Sequence, residues 1–159
     1  MAWKKFPHSL WKEGVNYYID RSQYQSQMLY NDVRTAFQRA AKLWESNTCI
    51  NFTEDASAKN RIKIHPGPTC NSYVGKNGGE QTMMLGSSCA YTYMAAHEIG
   101  HALGFMHTFQ RHDRDKYITL NENAIVSSYY GDFMKMTPEQ NDNFGLPYDY
   151  GDVMHYPAN

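Results

Sequence analysis

Five residues at fixed offsets, His97, Glu98, His101, Gly104 and His107, constrain this chain more than any other feature. On a helix, residues four apart differ by about 40° in azimuth and about 6 Å in rise, so His97 and His101 project from one face and can share one ion. If that helix simply continued, His107 would lie roughly 15 Å beyond His97 along the axis, far outside the ~2.1 Å reach of a zinc–nitrogen bond. The helix must therefore stop. Gly104 supplies the stop, because glycine accepts the left-handed conformation that ends helices and turns the chain back. His107 can then complete a three-histidine set.

Three neutral nitrogen ligands with one position left open are what a catalytic zinc requires, whereas structural zinc usually fills all four places with protein groups. Glu98, turned about 100° from His97, is poorly aimed for ligation but long enough to reach a water at the ion, which makes it the candidate general base. The expected chemistry is attack of activated water on a peptide carbonyl, with Glu98 relaying the proton to the leaving amine. A bare His-Glu-x-x-His arises by accident, but Gly104 and His107 at their offsets make coincidence a poor account of the whole set. His8, His65 and His112 have no such company and read as structural or surface residues.

A length of 159 residues supports one domain with a hydrophobic core. Fifteen basic against sixteen acidic side chains give no electrostatic grip on nucleic acid or an anionic membrane. No apolar run is long enough to span a bilayer, and no signal-type apolar stretch follows Lys4 and Lys5. The chain is thus either part of a longer precursor or cytosolic. The three cysteines favour the first: a disulfide closing the short loop from Cys70 to Cys89 would stabilise the fold by roughly 3 kcal/mol, and Cys49 is left over for a partner elsewhere. In a reducing compartment all three would be buried thiols. Asn51-Phe52-Thr53 is a glycosylation sequon, a weak signal for secretion.

Residues 14–20 read as a strand, and residues 26–46 as an amphipathic helix with Val33, Phe37, Ala41 and Trp44 on its core-facing stripe. Asn47 marks its end. Short strands are expected over 49–53, 61–65, 72–75 and 81–85, with glycine-rich turns, followed by a second helix over 92–103. Beyond Gly104 little is periodic, and turn signals such as Thr137-Pro138 and Gly145-Leu146-Pro147 predict mostly irregular chain.

With these residues in place, the sequence resembles the astacin family of metzincin zinc metalloendopeptidases. Beyond the zinc helix, Arg111, Asp113, Arg114, Asp115 and Tyr117 match the family's pattern after the third histidine. Residues 147–151 lead into Val153-Met154-His155-Tyr156-Pro157, which looks like its Met-turn. The resemblance implies that Met154 forms an apolar floor under one Zn2+ and that Tyr156 is a fifth ligand that swings away to stabilise the oxyanion; His155 reads as a packing residue. Upstream, Trp11, Gly14 and Tyr18 match the first strand, Thr48 to Phe52 the first cysteine, and Cys70 to Gly75 with Cys89 the internal disulfide loop. Residues 79–85 would be the edge strand along which an extended polypeptide substrate pairs.

The implied architecture is α+β and zincin-like: a twisted, mostly parallel sheet with an antiparallel edge strand and two long helices in an upper lobe of residues 1–104. An irregular lower lobe, 105–159, completes a single catalytic domain and looks cut short at its C-terminus. The implied protein is a secreted endopeptidase made as a zymogen with an inhibitory prosegment. Two departures from the family stand out. Thr108 occupies the place where a glutamate commonly receives the mature amino terminus, and the chain stops at Asn159, just past the Met-turn. A competing reading is a secreted interaction module that keeps the metal only to hold its fold; retention of Glu98, a base that a structural site does not need, speaks against it.

Overall fold

The structure is a computed structural model, and it describes the backbone of residues 2–3 and residues 9–156 in full. His8 and Pro157, both considered above, lie outside the described residues. The chain divides into two compact units, His8–Gly104 and a second made of Met1–Pro7 with Phe105–Asn159.

The first unit is built on a five-stranded sheet with strand order β3-β2-β4-β6-β5. These strands are β2 (Val15–Ile19), β3 (Phe52–Glu54), β4 (Arg61–His65), β5 (Asn71–Ser72) and β6 (Glu80–Met84). Residues alternate between faces, so Val15, Tyr17 and Ile19 of β2, Ile62 and Ile64 of β4 and Met83 of β6 are all buried. Helix α1 (Gln27–Asn47) lays Val33, Ala36, Phe37, Ala40 and Ala41 into the same core, with the Phe37 and Tyr17 ring centroids 4.6 Å apart. Ser26 caps it by accepting from the Leu29 backbone N–H at 3.3 Å. At the other end the Thr48 hydroxyl donates to the Trp44 carbonyl at 2.7 Å, so the helix closes before Cys49, and the strand expected from 49 starts only at Phe52. Cys49 is exposed and free.

One expectation changes. All pairings within this sheet are parallel except β5 with β6, so the antiparallel edge strand exists, but it is β5. Residues 79–85 instead supply β6, which pairs along its whole length with β4 and in its last two residues with β5. Local sequence cannot distinguish the two, because both runs are short and strand order is decided by tertiary pairing. The β5–β6 connection is held by Gln81, 3% exposed, which accepts from the Asn77 N–H and donates to the Gly75 carbonyl, both at 3.0 Å.

The second unit is mostly irregular, as expected. A two-residue pairing of β1 (Ala2–Trp3) with β7 (Asn141–Asp142), three single turns of 3-10 helix and a longer 3-10 helix, Ser127–Phe133, are its regular elements among the described residues. Arg111, 6% exposed, organises it: its guanidinium pairs with both oxygens of Asp113 and donates to the carbonyls of Leu146 and Pro147. No helix among the described residues is long and apolar enough to cross a membrane.

Candidate metal centre

Helix α2 (Thr92–Ala102) carries the first two histidines. Its buried residues are Ala95, Ala96, Glu98, Ile99, Gly100 and Ala102, and its last carbonyls do not go unsatisfied. The His101 carbonyl accepts from the N–H groups of Gly75 and Gly104, both at 2.8 Å. The Ala102 carbonyl accepts from the Trp11 indole N–H at 2.9 Å. Leu103 is the C-cap and Gly104 follows at φ +101. Among the described residues, and apart from its two chain neighbours, no atom lies within 4 Å of where a Cβ on Gly104 would stand, so glycine is needed there for its backbone conformation and not for space.

The turn at Gly104 does what the spacing demanded. One nitrogen of each of His97, His101 and His107 lies within 4.8 Å of the others, so the three converge as candidate ligands of a single ion. The rings of His97 and His101 meet edge to face, centroids 4.7 Å apart. His107 begins a 3-10 turn, with its N–H donating to the Gln110 side chain at 3.1 Å. Its ring stacks on Phe109 at 4.8 Å and meets the ring of Tyr156 at 4.6 Å.

Glu98 is 4% exposed, and its Oε2 has no hydrogen-bond partner. Burial pushes its carboxyl up to about 8. A buried carboxylate oxygen without a donor is costly, and it fits a group whose partner is a water at the ion. The three-imidazole donor set suits zinc for the same reason: it is borderline-soft and leaves room for that water.

The Met-turn lies within the second unit. Met154 is 1% exposed, its carbonyl accepting from the Thr108 N–H at 3.0 Å and its N–H donating to Asp152 Oδ1 at 3.1 Å. His155 is held on both sides, Nδ1 against the Tyr156 carbonyl at 2.6 Å and Nε2 against the Tyr148 hydroxyl at 2.8 Å, which agrees with a packing role. Tyr156, 41% exposed, also lines an apolar groove of about 650 Å3 with Phe109, Ile118, Ile125, Tyr129 and Phe133. Cys70 and Cys89 are joined by a disulfide. Sequence reasoning passed over Trp11 as a helix cap, Gln110 and Asp152. Only Asp152, an Asx two residues ahead of a turn methionine, left a local signal.

Comparison with known proteins gives a consistent picture. The profile of the Astacin peptidase family matches residues 4–159. Zinc metalloproteinase nas-31 of Caenorhabditis elegans is 43% identical over 153 residues, 96% of this chain and 24% of that protein. Zinc metalloproteinase nas-14 of the same organism is 37% identical over 156 residues, 95% of this chain and 30% of that protein. The chain thus spans less than a third of the length of either relative. Among solved structures, high choriolytic enzyme 1, a hatching enzyme zinc-protease from Oryzias latipes (medaka fish), superposes with a TM-score of 0.79 at 29% identity, covering 98% of this chain and 72% of that one. Myroilysin shares the fold at a TM-score of 0.61 and 22% identity, covering 94% and 81%.

Proposed function

The chain belongs to the astacin family of peptidases, and from that premise we propose that it forms the catalytic domain of a secreted zinc metalloendopeptidase acting on extended polypeptides. One observation carries the reading: three imidazole nitrogens within 4.8 Å of one another, beside a buried glutamate with an unpartnered oxygen. His97, His101 and His107, with Tyr156, would hold one zinc ion, which when bound polarises the scissile carbonyl and acidifies a water. Glu98 accepts the proton of the attacking water and passes it to the departing amine. The Tyr156 hydroxyl donates to the carbonyl oxygen as negative charge builds on it. The substrate adds its backbone to the free side of the edge strand β5. The Cys70–Cys89 disulfide supports an oxidising, extracellular setting, and family membership supports a zymogen with an inhibitory prosegment.

A peptide-cleavage assay tests the mechanism. Chelator is expected to abolish cleavage and added zinc to restore it. Glu98→Gln is expected to retain the metal yet lose turnover by about two or more orders of magnitude. Tyr156→Phe is expected to bind zinc and turn over more slowly. Full activity in Glu98→Gln would sink the proposed proton path.

A further inference from the structure

Thr108 stands where the family pattern would place a carboxylate, yet it is 2% exposed and fully engaged. Its hydroxyl donates to Asp152 Oδ2, and its N–H donates to the Met154 carbonyl at 3.0 Å. The other Asp152 oxygen, Oδ1, accepts from the Met154 N–H at 3.1 Å, and the Asp152 carbonyl accepts from the His155 N–H at 2.8 Å. A closed ring of hydrogen bonds therefore ties residue 108 to the turn 152–155. One of its arms starts next to His107 and the other ends next to Tyr156, whose rings meet at 4.6 Å.

We infer that Thr108 and Asp152 form a positioning clamp that fixes His107 against Tyr156, with the hydroxyl on the histidine side and the carboxylate on the Met-turn side. The chemistry is complementary in this order, because a threonine hydroxyl has one proton to give and a carboxylate only accepts. A glutamate at 108 would instead set two carboxylates against each other. The clamp also needs no incoming charge at position 108, since both Asp152 oxygens already have donors within the same unit. Neither residue touches the reacting atoms; both act through His107 and Tyr156.

The clamp rests on the metal-centre reading but not on catalysis, so its test reads the metal first. Zinc affinity is measured by chelator competition and ligand geometry by the visible spectrum of the Co2+-substituted protein, with peptide turnover alongside. Outer partners of metal ligands typically contribute 10–100-fold. Thr108→Val, which keeps the shape and removes the hydroxyl, is expected to weaken zinc binding by about 10-fold or more, shift the cobalt spectrum and lower kcat with little change in KM. Thr108→Ser is expected to restore all three. Thr108→Glu is expected to be worse than Thr108→Val, and the exchange Thr108→Glu with Asp152→Ser to recover much of the loss, a coupling that independent sites do not show. Thr108→Val indistinguishable from the parent, or Thr108→Ser as impaired as Thr108→Val, overturns the clamp. Where Thr108→Val does not fold, the exchange pair decides: recovery in the double variant supports the clamp, and failure of the double variant to outperform Thr108→Glu overturns it. Metal binding weakened by Thr108→Val in a chain with no peptidase activity keeps the clamp and removes the peptidase; unchanged zinc affinity in an active peptidase does the reverse.

Discussion

At the scale of single residues, the centre depends on two kinds of conflict with ordinary folding preferences. Gly104 holds a left-handed backbone that other residues adopt at a cost of about 1–2 kcal/mol. Glu98 keeps a carboxyl where water cannot reach most of it. The second conflict has a measurable sign. The folded pKa of Glu98, pushed up to about 8, lies above the roughly 4.3 of an unfolded glutamate. Stability tied to this group is therefore complete below the unfolded value and is lost as pH rises towards the folded one. Thermal melting of chelator-treated protein should fall across that window, and Glu98→Gln should flatten the fall. A melting profile identical in both proteins would show that Glu98 is not the group responsible. The convergence of His97, His101 and His107 was legible because it follows from helix geometry and the turn at Gly104. Asp152 was not, since its partner Thr108 lies 44 residues away in sequence and nothing local predicts the pairing.

At the scale of elements, α1 was legible to within a residue at either end, because a 3.6-residue apolar stripe and a serine cap are both local signals. The exchange of β5 and β6 shows the limit of that reasoning: an edge strand and its neighbour have similar short patterns, and only the pairing with β4 separates them. How α2 ends was half legible. Gly104 announced the stop, but the donors that make the stop stable, the Trp11 indole and the Gly75 amide, come from distant parts of the unit. Trp11, 4% exposed, serves as core and cap at once. Trp11→Phe keeps most of the apolar bulk and leaves the Ala102 carbonyl without its donor, which should cost about 1–3 kcal/mol in denaturant unfolding. A loss below a few tenths of a kcal/mol would mean that the cap is dispensable.

At the scale of the whole chain, membership of the astacin family rests on a match running from residue 4 to residue 159, and near-neutral charge leaves specificity to local features of each unit. The disulfide has a consequence of a different order, which concerns the protein as a potential substrate of its own kind. A peptidase that grips extended chain threatens every exposed segment able to straighten and enter a cleft, including those on its neighbours in solution. The covalent loop from Cys70 to Cys89 encloses β5 and β6, so this strand-forming segment is held against peeling away. Residues 121–134 carry no such lock and display Val126, Tyr129, Tyr130 and Met134 at the surface. In a concentrated, zinc-loaded sample, the first self-inflicted cut mapped by mass spectrometry should therefore fall between 121 and 134, and mild reduction should add cuts between 70 and 89. Early cleavage of the 70–89 loop in oxidised protein would contradict this. On the proposed peptidase reading, the crosslink would confer resistance to autolysis as much as stability.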